Sequence, residues 1–398
     1  GSYYFWEMKE FLELLGPRNA KVMARHFGVT SSEGATRKNI LYIGEPIESL
    51  AKLEGIAIFE LDHILRKSKE ILLKARGKRT RPFTDKKIIT GWNGLMITAF
   101  ASGYMVLHGK NYLEVAIRAG EFLWNNMWTD SGVLLRIYSN AESKINGCLE
   151  DYAYFLEAVL ALYEASFDLV WIERANQLTD KMISEFYDIE EGGFFMSGLS
   201  SEVLIARLKN AADEAIPSAN AIAILSIFKL GHLTGNKHYL DIGARSVNAF
   251  KQRIDKNPAA HTGILAAADF LASSLTEVVF TGALENSAFE DMRDALNQDY
   301  RPNKVVAWNN NSQTSELIPL SRGKSSIEGT PAAYICEQET CYSPVGSGKA
   351  IANLLKPPPE IRLNIFNYDK QIKDAETEEQ GKFLGVMDQI FRHSGLKK

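Results

Sequence analysis

Three stretches of this sequence are almost free of charged residues, and they lie at residues 92–107, 152–163 and 216–228. Each precedes a stretch whose charges follow one side of a helix, at residues 110–127, 171–186 and 237–253. A helix that is apolar on all sides is buried on all sides, whereas an amphipathic helix covers it and faces solvent. The alternation predicts a mainly α protein in which helical hairpins form two concentric rings, an α/α toroid.

Hydrophobic patterning also divides the rest of the chain. Residues 1–80 are predicted to be a lead-in segment with short helices, and residues 81–275 to be the α/α-hairpin toroid. Alternating strands and a helix predict a small α/β attachment at residues 276–356. Three consecutive prolines then mark a boundary, so residues 357–398 are predicted to be a C-terminal arm or tail.

The starts of the inner helices are the predicted place for function. Inner helices that begin at the same end of a ring direct their first turns into a common bowl, where unpaired N–H groups favour oxygen-rich ligands. Polar or aromatic side chains stand at each of these starts, and the candidate binding residues are Trp92, Asn93, Glu150, Tyr152, Ser218, Asn220 and His261. The alternative is that they cap helices or belong to the core.

Carboxylates near the same helix starts are the candidate catalytic groups. Asp151 begins the second uncharged helix, and Asp213 and Glu214 precede the third. Adjacent helical residues point about 100° apart, so one of Glu150 and Asp151 faces the bowl, and we expect it to be Asp151. Two carboxylates across a bowl are the minimum for general acid/base chemistry on a sugar. Acidic residues also favour the first turn of any helix, which is the structural alternative.

Composition narrows the class of protein without identifying it. The chain has 398 residues, 45% hydrophobic and 24% charged, as in ordinary globular proteins. A net charge of −4 and the lack of a dense basic stripe argue against nucleic-acid binding. The uncharged stretches are shorter than the roughly 20 apolar residues that span a bilayer, so no membrane association is expected.

Cysteine usage and the known motifs limit the chemistry further. The three cysteines, Cys148, Cys336 and Cys341, are too few for a disulfide framework and fit a reducing cytoplasm. We expect Cys336 and Cys341 to be two ordinary cysteines beside a turn, since their spacing is neither C-x-x-C nor half of a zinc site. No phosphate-binding glycine motif, nucleophile elbow or zinc-ligand cluster is present, so neither a cofactor nor a metal is expected.

Several ordered motifs resemble one known family. They are residues 81–96 (RPFTDKKIITGWNGLM), 149–153 (LEDYA), 192–195 (GGFF), 217–220 (PSAN) and 333–341 (AYICEQETC). This series resembles the DUF255 proteins, which are YyaL-like, thioredoxin-domain-containing proteins of the spermatogenesis-associated protein 20 family. The similarity extends from Tyr3 to about Leu355.

The resemblance implies a fold for this chain and, as a partner, an N-terminal thioredoxin-like domain. That family is similar in fold to six-hairpin glycosidases and N-acylglucosamine 2-epimerases, which implies a bowl that handles carbohydrate. Its proteins usually begin with a thioredoxin-like domain and the first hairpins of the toroid. The opening residues 1–6 resemble a motif from the middle of such a protein, so the chain is expected to be a C-terminal portion with an incomplete toroid.

Two functions from different classes follow. The first is a carbohydrate-active protein that hydrolyses or epimerises a sugar through paired carboxylates, as a glycoside hydrolase or a sugar 2-epimerase does. Its expected ligand is a small carbohydrate. The second is a non-catalytic scaffold or partner-binding module that works with the N-terminal thioredoxin-like portion of the parent protein.

Overall fold

The computed structural model describes residues 2–30, 38–201, 205–309, 312–337 and 340–355. The predicted tail, residues 357–398, lies outside the described residues. Helices predominate and short strands form small sheets, so the predicted fold class is confirmed: mainly α, with an α/α-hairpin toroid arrangement and a small α/β part. None of the described helices combines the length and the apolar character needed to cross a membrane.

The chain divides into two units, Gly1–Lys86 and Lys87 onward. The first unit has its own core, which is more than the predicted lead-in. Its elements are β1 (Phe5–Trp6), α1 (Met8–His26), β2 (Asn39–Ile40), α2 (Ile47–Glu54) and α3 (Ile58–Gly77). Helix α1 is longer than the short helices expected in this segment, because it continues past a break at Gly16 (φ 75°) and Pro17. Phe11, Leu50, Leu61 and Leu65 are buried in the same cluster.

Helical hairpins build most of the second unit. The inner helices are α4 (Thr90–Leu107), α6 (Leu149–Ser166), α8 (Ala219–Thr234) and α11 (Thr262–Ala272). The outer helices are α5 (Lys110–Met127), α7 (Val170–Phe186) and α9 (Lys237–Ala249), with the short α10 (Lys251–Lys256) after them. Each inner helix packs against the next, and α5, α7 and α9 each pack against the inner helix before them. The described residues supply four inner helices, fewer than the six of a complete six-hairpin toroid.

Direct contacts bring the starts of the inner helices together at one end, as the sequence predicts. The N–H of Gly91 in α4 donates to Asp151 in α6 at 2.9 Å. The Tyr154 hydroxyl of α6 donates to the carbonyl of Pro217, just before α8, at 2.5 Å. The N–H of Gly263 in α11 donates to Asp213, five residues before Ser218, at 2.8 Å.

Helix α4 differs from the prediction that each uncharged helix is buried on all sides. Helices α6 and α8 are buried along most of their length, but α4 exposes Trp92, Met96, Val106 and Leu107. Its buried residues are mainly small and face α6. The reason is position: in the described part of the second unit no further inner helix lies beyond α4, so the composition of an inner helix occurs at the end of the row.

Two turns repeat along the row of hairpins. Trp128, after α5, bridges Leu134, and Tyr187, after α7, bridges Phe194. Both turns contain an acidic residue and a glycine, and they begin about 60 residues apart, which is one hairpin repeat. After the first turn, β4 (Leu135–Ser139) pairs with β3 (Ile88–Ile89) and β5 (Glu142–Asn146) in an antiparallel sheet beside the starts of α4 and α6.

The α/β part is a four-stranded sheet. Its elements are β6 (Thr276–Thr281), α12 (Ser287–Asn297), β7 (Lys304–Asn309), α13 (Ser312–Leu317), β8 (Ala332–Glu337), β9 (Thr340–Cys341) and α14 (Gly348–Leu354). The strand order is β7-β6-β8-β9, with β6 and β7 parallel and the other pairs antiparallel. Helices α12 and α14 pack together. The parallel β6–α12–β7 segment is thus followed by an antiparallel β8–β9 hairpin in the same sheet.

The prediction for Cys336 and Cys341 is wrong. They form a disulfide instead of remaining two ordinary cysteines beside a turn. The cause is their register, because the two residues are direct partners in the β8–β9 hairpin, with Cα atoms 3.9 Å apart. A strand register of this kind is not visible in cysteine spacing.

Gly94→Ala is expected to destabilise the protein because α4 and α6 approach closely at this glycine. A Cβ at residue 94 would lie 2.6 Å from the backbone oxygen of Tyr154, whereas one at Gly103 would meet no atom nearer than 4.0 Å. Overpacking costs about 1–3 kcal/mol, which outweighs the gain in helix propensity. In thermal denaturation Gly103→Ala, the control, should raise stability by up to about 1 kcal/mol. Equal melting temperatures for the two variants would contradict this close packing.

Candidate functional site

Asp151 lies at the centre of the polar contacts between α4 and α6. Its Oδ1 accepts the N–H of Gly91 at 2.9 Å, and its Oδ2 accepts the N–H of Cys148 at 3.0 Å. The Arg136 guanidinium, from β4, donates to Oδ2 at 2.8 Å. The Cys148 thiol lies 3.4 Å from the same oxygen. One carboxylate therefore joins the starts of two inner helices to the neighbouring sheet.

This arrangement reverses the expected orientation of the acidic pair. The Asp151 side chain is 0% exposed, whereas the Glu150 side chain is 29% exposed and lies 3.4 Å from Arg136. We expected Asp151 to face the open space, but the close packing of α4 on α6 encloses the residue that faces α4. A catalytic role for Asp151 stays a prediction, and Glu150 is the carboxylate of this pair that a ligand can reach.

Burial and charge set the protonation of this cluster. Burial raises the pKa of Asp151, although Arg136 and the two backbone N–H groups oppose the rise. Burial would lower the pKa of Arg136, but the charge of Asp151 raises it above its usual value, so the guanidinium stays charged. Burial raises the pKa of Cys148 to about 12. Cys148 is therefore a neutral thiol near pH 7, which argues against nucleophilic chemistry at its sulfur.

Two of the other predicted residues at this end are open to a ligand. Trp92 is 57% exposed at the start of α4. Asn93 is half-buried, and its amide donates to the carbonyl of Ile89 at 2.9 Å. Tyr152 differs, since it is buried and its hydroxyl accepts the N–H of Leu134. Because these helix starts are adjacent, Trp92, Asn93 and Glu150 define one surface, which we call the helix-start surface.

Asp213 repeats the arrangement of Asp151 between the next pair of helices. Its carboxylate accepts the N–H of Ser218 at 2.9 Å, the N–H of Gly263 at 2.8 Å and the hydroxyl of Thr262 at 2.9 Å. Burial would raise the pKa of Asp213, but these hydrogen bonds lower it below its usual value. Glu214 is exposed, and its Oε1 lies 3.4 Å from the amide of Asn210.

The remaining predicted residues occupy structural positions. The Ser218 hydroxyl accepts the N–H of Ala221 as the N-cap of α8. Asn220 is fully buried and bonds the N–H and carbonyl of Phe194 and the carbonyl of Asn210. His261 is 8% exposed, and its Nδ1 lies 2.8 Å from the carbonyl of Asn257. Roles for these three in ligand binding stay predictions, because each already has partners within the protein.

Sequence reasoning missed a second polar region, deeper between the same helices. It contains Glu157 and Glu164 of α6, Lys229 of α8 and Lys304 of β7. The signal was present, since Glu157 is the single charge of the stretch at residues 152–163 and Lys229 directly follows the stretch at residues 216–228. A lone charge in an apolar helix has a specific reason to be there, whether a partner or a ligand.

Comparison with curated proteins identifies the relatives. The chain is 28% identical over 389 residues to human spermatogenesis-associated protein 20, and this covers 90% of the chain and 50% of that protein. The rat protein of the same name is 27% identical over 387 residues, covering 89% of the chain and 49% of the relative. The chain is therefore similar in sequence to spermatogenesis-associated protein 20. It spans about half the length of the curated relatives it matches, and the expected resemblance is confirmed.

Comparison with solved structures finds partial matches. Cellobiose 2-epimerase from Bacillus thermoamylovorans matches with a TM-score of 0.35 and 14% identity, covering 44% of this chain and 46% of that chain. A GH76 α-mannanase from Bacteroides thetaiotaomicron matches with a TM-score of 0.35 and 14% identity, covering 68% of this chain and 85% of that chain. No family model matches the chain.

Proposed function

We propose that the helix-start surface of the second unit binds a small carbohydrate, with Trp92 stacking on a sugar face and Glu150 as the group that exchanges protons. The observation that carries the proposal is that one buried carboxylate holds both parts of the surface. Asp151 bonds the start of α4, which bears Trp92, and also bonds Arg136, which lies against Glu150. A site held by buried groups in this way is preorganised for a ligand.

The chemistry of these groups suits a polyhydroxylated ligand. An exposed indole offers a flat apolar face, and a carboxylate beside a guanidinium accepts and donates several hydrogen bonds at fixed positions. The Asp151 carboxylate acts through Arg136 as a positioning group. Hydrolysis by this site would also require a second carboxylate about 5–10 Å away, and the exposed Glu214 is the candidate for that role. Epimerisation would likewise need an acid and a base.

Partner binding is the second candidate function, and one observation favours it. Met96, Val106 and Leu107 are exposed on α4, a helix without charged residues. Exposed apolar side chains along one helix can contribute to an interaction site. In this alternative the partner is the thioredoxin-like portion that the family resemblance implies.

Saccharide binding is expected to depend on Trp92 and Glu150. In titration calorimetry of the full chain with a panel of mono- and disaccharides, Trp92→Ala should weaken binding about tenfold, the equivalent of about 1–1.5 kcal/mol of stacking. Glu150→Gln should weaken it comparably. Leu107→Ala is the matched control, since Leu107 is also exposed on α4 but lies at its other end. The alternative gains support if no saccharide binds and the chain instead binds the thioredoxin-like portion of a relative, with Leu107→Ala weakening that binding.

A further inference from the structure

A cavity lies between the inner helices, away from the helix-start surface. Its walls are the middle and C-terminal halves of α4, α6 and α8, and the first residues of β7 close it. The narrower part has a volume of about 110 Å³. It continues into a wider region of about 530 Å³ bordered by α11 and residues 297–303, and both parts share Glu164, Lys229 and Lys304.

Four charged side chains line this cavity, and they are partnered unequally. Glu164 and Lys304 form an ion pair with each other. Glu157 and Lys229 interact electrostatically, but neither makes a hydrogen bond or an ion pair with any residue that the structure describes. The charges of two carboxylates and two ammonium groups sum to zero. At the outer edge Asp299 and Arg301 are also paired, at 3.7 Å, so the cavity as a whole has no net charge.

Glu157 and Lys229, which make no hydrogen bond or ion pair within the described residues, are the informative groups. Part-buried charges are costly unless they are paired, and Glu157 and Lys229 are both half-buried. The Thr98 hydroxyl, on the α4 wall, is buried and has no hydrogen-bond partner within the described residues. Burial raises the pKa of Glu157, and the charge of Lys229 opposes that rise. For Glu164, burial also favours a higher pKa, but Lys304 and Lys229 lower it below its usual range.

The charges select one kind of ligand. An anion would neutralise Lys229 and leave Glu157 uncompensated, and a cation would do the reverse. A neutral sugar would hydrogen-bond both groups but compensate neither charge. A small zwitterion satisfies both, because its carboxylate can face Lys229 while its ammonium faces Glu157. The apolar side chains of Leu160, Leu225 and Leu233 then remain for an apolar substituent.

We propose that this cavity binds a free α-amino acid, with Glu157 holding its ammonium, Lys229 its carboxylate and the Thr98 hydroxyl a further hydrogen bond. A cavity of this size holds a few water molecules and therefore a ligand of few heavy atoms, so amino acids with small side chains fit the narrower part. The site is separate from the helix-start surface, and the inference does not depend on carbohydrate binding there.

Calorimetry on the full chain tests the proposal with the free α-amino acids, beginning with L-alanine. At least one small amino acid should bind. Propionate and ethylamine, each carrying one of the two charges, should bind at least about tenfold more weakly, as expected when a charge-assisted hydrogen bond is lost. Glu157→Gln and Lys229→Met should each weaken amino-acid binding to a similar extent, and Lys229→Arg, which keeps the charge, should weaken it less.

Matched controls separate the cavity from general charge effects and from folding. Glu173→Gln and Lys237→Met remove exposed charges of α7 and α9 and should leave amino-acid binding unchanged. Trp92→Ala should also leave it unchanged. The proposal is overturned if no free amino acid binds, or if propionate binds as tightly as alanine. It is also overturned if both variants fold but Glu157→Gln binds like the unmodified chain while Lys229→Arg does not bind at all.

Discussion

Asp151→Asn is expected to lower the free energy of unfolding by about 3–5 kcal/mol, because it removes one partner from a buried ion pair. The two carboxylate oxygens of Asp151 accept bonds from Gly91, Cys148 and Arg136. An asparagine places its NH₂ group where one of these oxygens stood, so donor faces donor whichever way the amide turns. The loss corresponds to a melting temperature lower by roughly 10 °C.

Chemical and thermal denaturation of the variant measure this loss. Asp130→Asn is the matched control, since Asp130 is exposed in the turn after α5 and should change stability by less than about 0.5 kcal/mol. Glu150→Gln should also have a small effect, because Glu150 is part-exposed. If Asp151→Asn melted together with Asp130→Asn, Asp151 would not join the two helices, and the preorganisation argument for the helix-start surface would lose its basis.

Asn220→Ala is expected to cost about 2–5 kcal/mol. The Asn220 side chain satisfies the N–H and the carbonyl of Phe194 at 2.8 and 2.9 Å and the carbonyl of Asn210 at 2.8 Å. Alanine leaves these backbone groups without a partner, and each unsatisfied buried group costs about 1–3 kcal/mol. The gain in helix propensity is several times smaller.

Hydrogen exchange adds a local readout to the melting experiment. The amide of Phe194 should lose protection in Asn220→Ala, because it loses its acceptor. Asn125→Ala is the control, an exposed asparagine in α5, and it should be neutral or slightly stabilising. Retained protection at Phe194 together with an unchanged melting temperature would show that Asn220 does not hold the turn after α7.

The helices were predictable where one property decides the structure. The absence of charge marked α6 and α8 as buried, and the amphipathic pattern located α5 at its observed bounds, Lys110–Met127. The α/β part was also predictable, and its strands and α12 (Ser287–Asn297) lie within the predicted residues 276–356. The partial exposure of α4 was not predictable. It depends on whether another helix packs on the face of α4 opposite α6, and the composition of α4 does not show this.

Side-chain direction was the limit of prediction at the candidate site. Sequence placed Glu150 and Asp151 at a helix start, but which of them is enclosed depends on how closely α4 approaches, and Gly91 and Gly94 control that approach. The interior cavity depends on four elements that are far apart in the chain. Glu157 could be noticed as a lone charge, yet nothing local pairs it with Lys229. The Cys336–Cys341 disulfide likewise follows from strand register.

The carboxylates of Asp151 and Asp213 have a consequence for how the row of inner helices tolerates change. Each carboxylate joins the starts of neighbouring helices through hydrogen bonds, so the helices are aligned with one another at that end. Substitutions farther along can then widen or narrow the interior without sliding one helix past another. The starts of the inner helices therefore set their alignment. Their C-terminal parts can change in sequence, and a new ligand preference can arise there at little cost to folding.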